Sequence, residues 1–337
     1  APDLDAVETA LNYKRNGASA ISCLTEENYF KGCLKDLIDI CNAVDDVAVL
    51  RKDFLIDEEE IDIAYRCGAD AVLLIAGILT LEKLTSMTER CKNLGIKALV
   101  EVRSNEDVQK VLRIKEKYEE TIVCGVNSRN LRDFTIDLLV PAMLKKQLGG
   151  KVIFESGITT PQAAEKIASM GFSGILLGEF VARNPEKAGQ FVKSFIQKNE
   201  DDCGKKLIEL AQKVYNHKEK SDYPMVKICG IREKEDLLFA DELGADFVGF
   251  IFATEYQRNV YGSKFEQLKS VLNKIKALKV AVITRPESEE AKTAAILVKE
   301  GVLDFIQLHG IKYSEVPSYL QEVPHYFVLT DKNLIEE

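Results

Sequence analysis

At 337 residues, with 46% hydrophobic and 29% charged residues, the chain is globular in composition and long enough for about two domains. A formal net charge of −9 excludes a large nucleic-acid surface, which needs an excess of Lys and Arg. No apolar run reaches the roughly 18 to 20 residues that span a bilayer, and the acidic opening APDLDAVE has neither the basic nor the apolar region of a signal peptide, so the expected location is the cytoplasm.

Taken in chain order, strands are expected at 18–25, 47–53, 69–77, 97–102, 121–128, 151–157 and 173–180. Amphipathic helices are expected at 4–16, 33–43, 58–67, 79–93, 104–117, 136–146, 160–170 and 186–198. GASAISCLT, GADAVLLIAG and GFSGILLGEF repeat one pattern, a glycine and small residues before an apolar run. It reads as a helix ended by a left-handed glycine, a tight turn and a strand buried on both faces. Seven such strands, preceded by a helix with no strand before it, predict an eight-stranded (β/α) barrel lacking its first strand. No GxGxxG loop opens a helix, which disfavours a doubly wound sheet.

Residues 200–224 are charged and carry one short amphipathic stretch, the pattern of a linker with a stray helix. Alternation then restarts, with strands expected at 225–230, 245–252, 279–284, 305–309 and 325–330 and helices between them; GADFVGFIFA repeats the glycine pattern. The expected architecture is therefore α/β, two tandem (β/α)8 TIM barrels, the first (1–199) lacking strand 1 and the second (225–337) lacking its last three βα units. Eight cysteines with no CxxC pair and only three histidines read as reduced thiols, mostly core residues, and give no metal site.

Barrel active sites lie where the strands' C-terminal ends meet the following loops, so polar residues at strand tips are the candidates. Those tips carry Lys52 after VAVLR, Glu101 in ALVEV, Asn127 and Arg129 in CGVNSRN, and Glu155 with Ser156 in VIFESG. A lysine, two glutamates and an asparagine facing one apolar mouth form a general acid and base constellation. Each alone reads more readily as a solvated rim charge or an ion-pair partner; four at one end of several strands do not. Gly157 and Gly178 expose backbone N–H groups in the loops where barrels often bind phosphate.

SAISCLTEENYFKG, LRKDFLID, ALVEV, GVNSRNL and ESGI together resemble indole-3-glycerol-phosphate synthase over residues 1–198. The resemblance implies a barrel that converts a phosphorylated carboxyphenylamino-deoxyribulose into indole glycerol phosphate by ring closure, decarboxylation and dehydration, with no cofactor. It implies Lys52 as general acid, Glu101 as the carboxylate of the proton transfers, and Asn127 and Glu155 as polar groups around the ribulose chain. It further implies Phe30, Phe54 and Leu131 as the pocket for the anthranilate ring, Arg129 as an organiser of the Asn127 loop, and Ser156, Gly157, Gly178 and Glu179 in the phosphate loops.

MVKICGIREKEDLLFADELGADFVGFIF, with YQRNV and QLHG, resembles phosphoribosylanthranilate isomerase, the preceding step of tryptophan biosynthesis. That likeness implies Cys229 as general base of an Amadori rearrangement, Arg258 on the substrate carboxylate and His309 at the fourth strand's tip. Against both families the chain is expected to lack residues at each end, including a second catalytic lysine and the isomerase's acid and phosphate loop. This predicts an internal piece of a longer bifunctional enzyme that is itself weakly active or inactive. The rival readings are another phosphate-binding barrel of sugar or histidine metabolism and a non-catalytic phosphate-binding barrel fragment.

Overall fold

The computed structural model describes residues 5–130, 135–198 and 200–328. The chain divides into two compact units, Ala1–Tyr215 and Asn216–Glu337. In the first, β1 (Ala20–Leu24), β2 (Ala48–Lys52), β3 (Ala71–Ile75), β4 (Lys97–Val102), β5 (Ile122–Asn127), β6 (Val152–Glu155) and β7 (Gly174–Leu176) lie side by side in chain order, all parallel. A helix connects each strand to the next. Sequential parallel strands joined through helices are the arrangement of a (β/α) barrel wall, as the alternation predicts.

Several helices start where the sequence supplies acceptors. Thr80 and Thr160 cap the helices Leu81–Leu94 and Pro161–Ser169, the latter with proline in its first turn, and Ser104 with Asp107 forms a reciprocal capping box. Gly17, Gly68, Gly171 and Gly244, the repeat glycines, all have φ between 75° and 91°, the left-handed turn the pattern requires. A second device runs through both units: an aspartate just before a strand accepts an N–H of the neighbouring strand. Asp70 takes Val49 N–H at 2.8 Å, Asp246 takes Val226 N–H at 2.9 Å and Asp304 takes Lys279 N–H at 2.8 Å. Each bond ties two parallel strands at their entry ends and so helps to hold register.

Alternation along the strands separates two apolar layers. Val72, Leu74, Val100 and Val126 point outward into the core shared with the helices. Leu50, Leu73, Ile75 and Leu99, packed with Val123 and Ile153, form a second cluster on the inner face. Truncating one of these to alanine costs about 2 to 5 kcal/mol. This inner layer is the floor on which the polar strand tips stand.

Residues 200–224 differ from the expected linker. They contain a 19-residue helix, Asp202–Lys220, in which Leu207, Ile208, Ala211 and Tyr215 recur at helical spacing and pack on the first unit's core. Their burial makes most of that segment part of the first unit. The strand tip expected to run to residue 180 stops at Leu176, and a short helix Glu179–Arg183 follows.

The second unit has β8 (Lys227–Cys229), β9 (Phe247–Ile251), β10 (Leu278–Ile283), β11 (Phe305–His309) and β12 (His325–Val328), again parallel and adjacent in chain order. Phe250, Phe252 and Phe265 meet edge to face in its core, with centroids 5.5 and 4.9 Å apart. Among the described residues no helix is long and apolar enough to cross a membrane.

Candidate active site

Three of the candidate side chains follow a floor residue by two positions: Leu50 then Lys52, Leu99 then Glu101, Ile153 then Glu155. The strand period of two therefore puts each on the inner face, one step nearer the C-terminal mouth. Register brings them level, with Glu101 opposite Gly125 on β5 and Asn127 opposite Glu155 on β6.

The side chains converge as the strand tips suggest. Lys52 Nζ lies 3.6 Å from Glu101 Oε2 and 3.7 Å from Glu155 Oε2. The carboxylates are sealed in, with side-chain exposures of 4% and 1%, whereas 22% of Lys52 faces solvent. The ammonium is therefore the member of the trio that meets what enters the mouth. Neither Glu155 oxygen has a hydrogen-bond donor among the described residues. Burial, then the negative field of Glu101, push the Glu155 carboxyl up to about 8, with Lys52 opposing them. That shift favours the protonated form of Glu155.

Lys52 is held from behind by its neighbours. Arg51, 4% exposed on the outer face, donates to Thr25 Oγ1 at 3.1 Å, to the Glu60 carbonyl at 2.9 Å and to Glu60 Oε2 at 2.6 Å. Thr25 donates to Asp53 at 2.6 Å, tying the ends of β1 and β2 together around Lys52. Alternation at the end of this apolar strand sends the lysine into the mouth and its flanking charges into a lock outside.

Asn127, 5% exposed, accepts the Arg129 N–H at 2.9 Å, and Arg129 bridges to Ile136, so the loop after β5 is folded on itself. Arg103 reaches over from β4 and donates to the carbonyls of Asn127 and Ser128 at 3.3 and 3.1 Å. Ser156 has φ 68° and Gly157 φ 72°. A serine in the left-handed region carries roughly 1 to 2 kcal/mol of strain, kept here at the turn directly after Glu155.

Phe30 and Phe54, 43% and 42% exposed, face each other with centroids 6.2 Å apart and planes tilted by 31°. An aromatic pair left this open offers apolar area to a flat ligand. Leu131 lies outside the described residues. Gly178 is exposed and opens the Glu179–Arg183 helix, while the Glu179 carboxylate pairs with Arg183 at 2.9 Å on the surface.

In the second unit Cys229 ends β8 and is exposed. Arg258 Nη1 donates to the Cys229 carbonyl at 3.4 Å and lies against Gly230. Arg258 also lines a cavity of about 370 Å³ with Ile251, Tyr256 and Gln257. His309 ends β11 and is half-buried.

Comparison with known proteins gives this geometry a lineage. Residues 1–195 match the family model of indole-3-glycerol phosphate synthase. The chain belongs to that family. Residues 226–332 match the model of N-(5'phosphoribosyl)anthranilate isomerase. An indole-3-glycerol phosphate synthase of Campylobacter jejuni is 36% identical over 196 residues, 58% of this chain and 73% of that protein. The multifunctional tryptophan biosynthesis protein of Phanerodontia chrysosporium is 34% identical over 276 residues, 80% of this chain and 33% of the relative. That of Schizosaccharomyces pombe is 36% identical over 264 residues, 77% of this chain and 32% of its own. The chain thus spans about a third of the length of these multifunctional relatives.

Within the synthase unit, three residues that bear on the site escape a reading of strand tips. A Cβ on Gly125 would fall on Glu155 Oε1 and stand 3.2 Å from Leu99, so only glycine leaves room for the buried carboxylate. An isolated glycine inside the apolar run TIVCGVN is the available signal, since glycine weakens a strand unless something must approach it closely. Arg51 and Arg103 carry no comparable signal, because only the fold brings Glu60 and the Asn127 carbonyl to them.

Proposed function

We propose that the synthase unit closes the indole ring of indole glycerol phosphate from 1-(2-carboxyphenylamino)-1-deoxyribulose 5-phosphate. The ring carbon bearing the carboxylate attacks the ribulose carbonyl carbon, and the carbonyl oxygen takes a proton from the Lys52 ammonium. Loss of carbon dioxide returns its bonding electrons to the ring, and the new hydroxyl then leaves as water. Glu101 moves protons in ring closure and dehydration; Asn127 and protonated Glu155 hold the ribulose hydroxyls. Phe30, Phe54 and Leu131 hold the anthranilate ring, with Arg129 ordering the Asn127 loop. Ser156, Gly157, Gly178 and Glu179 meet the phosphate through backbone N–H groups.

The observation that carries this reading is a half-open ammonium held at 3.6 and 3.7 Å by two sealed carboxyl groups. A cation fixed in a low-dielectric mouth acts on a developing alkoxide more strongly than one in water. The test is appearance of indole glycerol phosphate when the chain is given that substrate. Turnover that Lys52→Ala lowers by about a hundred- to ten-thousandfold supports it. Absence of both turnover and substrate binding removes it for this chain.

For the second unit we propose the Amadori isomerisation of phosphoribosylanthranilate, with Cys229 as base, Arg258 on the substrate carboxylate and His309 at the rim. An exposed thiol at a strand's C-terminal end, with Arg258 bonded to its own carbonyl, supports that reading. Eight free thiols support a reducing compartment, the cytoplasm.

A further inference from the structure

The second unit holds a half-buried lysine that neither proposed reaction uses. Lys227 precedes Cys229 by two residues on β8, so both side chains leave the same face of the strand. Gly249 of β9 is the partner of Cys229 in the register. The point a Cβ on Gly249 would occupy is 2.7 Å from Cys229 Sγ and 3.0 Å from Lys227 Cε. Glycine at this position therefore lets the thiol and the lysine stem close over the same spot.

Among the described residues the ammonium at the end of that stem has no carboxylate partner: it donates to the Gln307 side-chain oxygen and to Tyr326 Oη at 3.1 Å, and Tyr326 in turn donates to Gln307 at 3.1 Å. These partners are neutral. Gln307 is 8% exposed, and Lys227 also lies over the Tyr326 ring, 5.7 Å from its centroid. A half-buried cation whose hydrogen bonds go to neutral groups projects its charge onto whatever can ionise nearby.

We infer that Lys227 is a positioning residue for Cys229: its half-buried ammonium supplies the positive charge that favours the thiolate, the form in which Cys229 can take a proton from substrate. This rests on the isomerase reading above for its purpose, though the charge coupling itself does not. The groups around the sulfur are consistent with it. Burial pushes the Lys227 ammonium below its ordinary range while a charge on Cys229 pulls it back up, and burial followed by Cys229 pushes the Tyr326 hydroxyl up. Arg258 is a second cation beside Cys229, and His309 ends β11 on the face that carries Gln307. Arg258 is exposed, so solvent screens its charge more than that of Lys227.

The test is the pH dependence of alkylation of Cys229 by iodoacetamide in the full chain, with Cys229→Ser as the blank for the other thiols. Lys227→Gln keeps a hydrogen-bonding group without the charge; it should raise the midpoint by about one pH unit, which slows alkylation at neutral pH about tenfold. Gln307→Glu keeps the lysine and neutralises it from the other side, so it should shift the midpoint the same way. Tyr326→Phe alters the same cluster without touching a charge and should leave the midpoint in place, which a merely structural role for Lys227 would not predict. Wild-type midpoints in both charge variants, or a larger shift in Arg258→Met than in Lys227→Gln, overturn the inference. A shifted midpoint alongside undiminished isomerisation by Cys229→Ser would keep the coupling and sink the isomerase reading instead.

Discussion

The Glu155 carboxyl group fills the space that any side chain at Gly125 would need, although the two residues lie on adjacent strands β6 and β5. That vacancy lets a carboxyl from β6 and one from β4 approach the same ammonium across the strand between them. Gly125→Ala should therefore move Glu155 rather than merely crowd the core. Overpacking of this kind costs about 1 to 3 kcal/mol. The expected result is a folded variant with a lower melting temperature and at least about tenfold lower kcat for indole glycerol phosphate, since small displacements of catalytic groups are costly. An unchanged kcat in a folded Gly125→Ala protein would show that the Glu155 position does not matter to the reaction.

Lys52→Met keeps the apolar stem and removes only the charge. If the ammonium protonates the substrate oxygen, turnover should fall about a hundred- to ten-thousandfold, with KM altered much less. The same change leaves Glu101 and Glu155 facing each other without a counter-charge, and the Glu155 carboxyl should hold its proton to still higher pH, because Lys52 is what now lowers it. A steady-state assay and a carbonyl-stretch measurement of Glu155 protonation read the two effects separately. Turnover close to wild type would remove Lys52 from the chemistry.

How much of this could be read from the chain alone differs by residue. Lys52, Glu101, Asn127 and Glu155 were legible because strand alternation is a local property: a polar residue two places beyond a buried one must share its face. The repeat glycines were legible for the same reason, since the turn they make is set by their own φ. The segment 200–224 was not, because a helix with a few apolar residues among many charges declares its burial only when a partner surface exists; Leu207, Ala211 and Tyr215 have one. Gly125, Arg51 and Arg103 act through residues 9 to 30 positions away in sequence, and no periodicity encodes such meetings.

Arg51→Met tests the lock behind Lys52. The guanidinium is almost fully buried and bonds Glu60 twice, but the Glu60 carboxylate is 37% exposed and can turn to water when left alone. The loss should therefore fall below the roughly 3 to 5 kcal/mol of a fully buried broken pair, at about 1 to 3 kcal/mol. Activity should drop less than in Lys52→Met, because the ammonium stays and only its orientation loosens. Urea titration with a kinetic assay on the same preparation checks both; a Lys52-like collapse of kcat with no loss of stability would contradict a supporting role.

Glu155 should also leave a mark on stability as pH changes, with a sign opposite to that of an ordinary surface carboxylate. Its folded-state value of about 8 lies above the ordinary carboxyl value of 4.5, so between those limits the folded chain binds a proton that the unfolded chain has released. Stability from this group is then complete below about pH 4.5 and declines as pH rises through the window, with a slope of at most about 1.4 kcal/mol per pH unit. Glu155→Gln is isosteric and cannot ionise, so it should abolish this slope. The measurement is the free energy of unfolding by urea at several pH values from about 5 to about 8 for both proteins. Wild type should lose stability relative to Glu155→Gln as pH rises, because ionising the buried carboxyl beside Glu101 costs more than Lys52 returns. Parallel curves for the two proteins would mean that Glu155 is already ionised throughout, and with that its place as a proton-bearing partner of the ribulose hydroxyls would go.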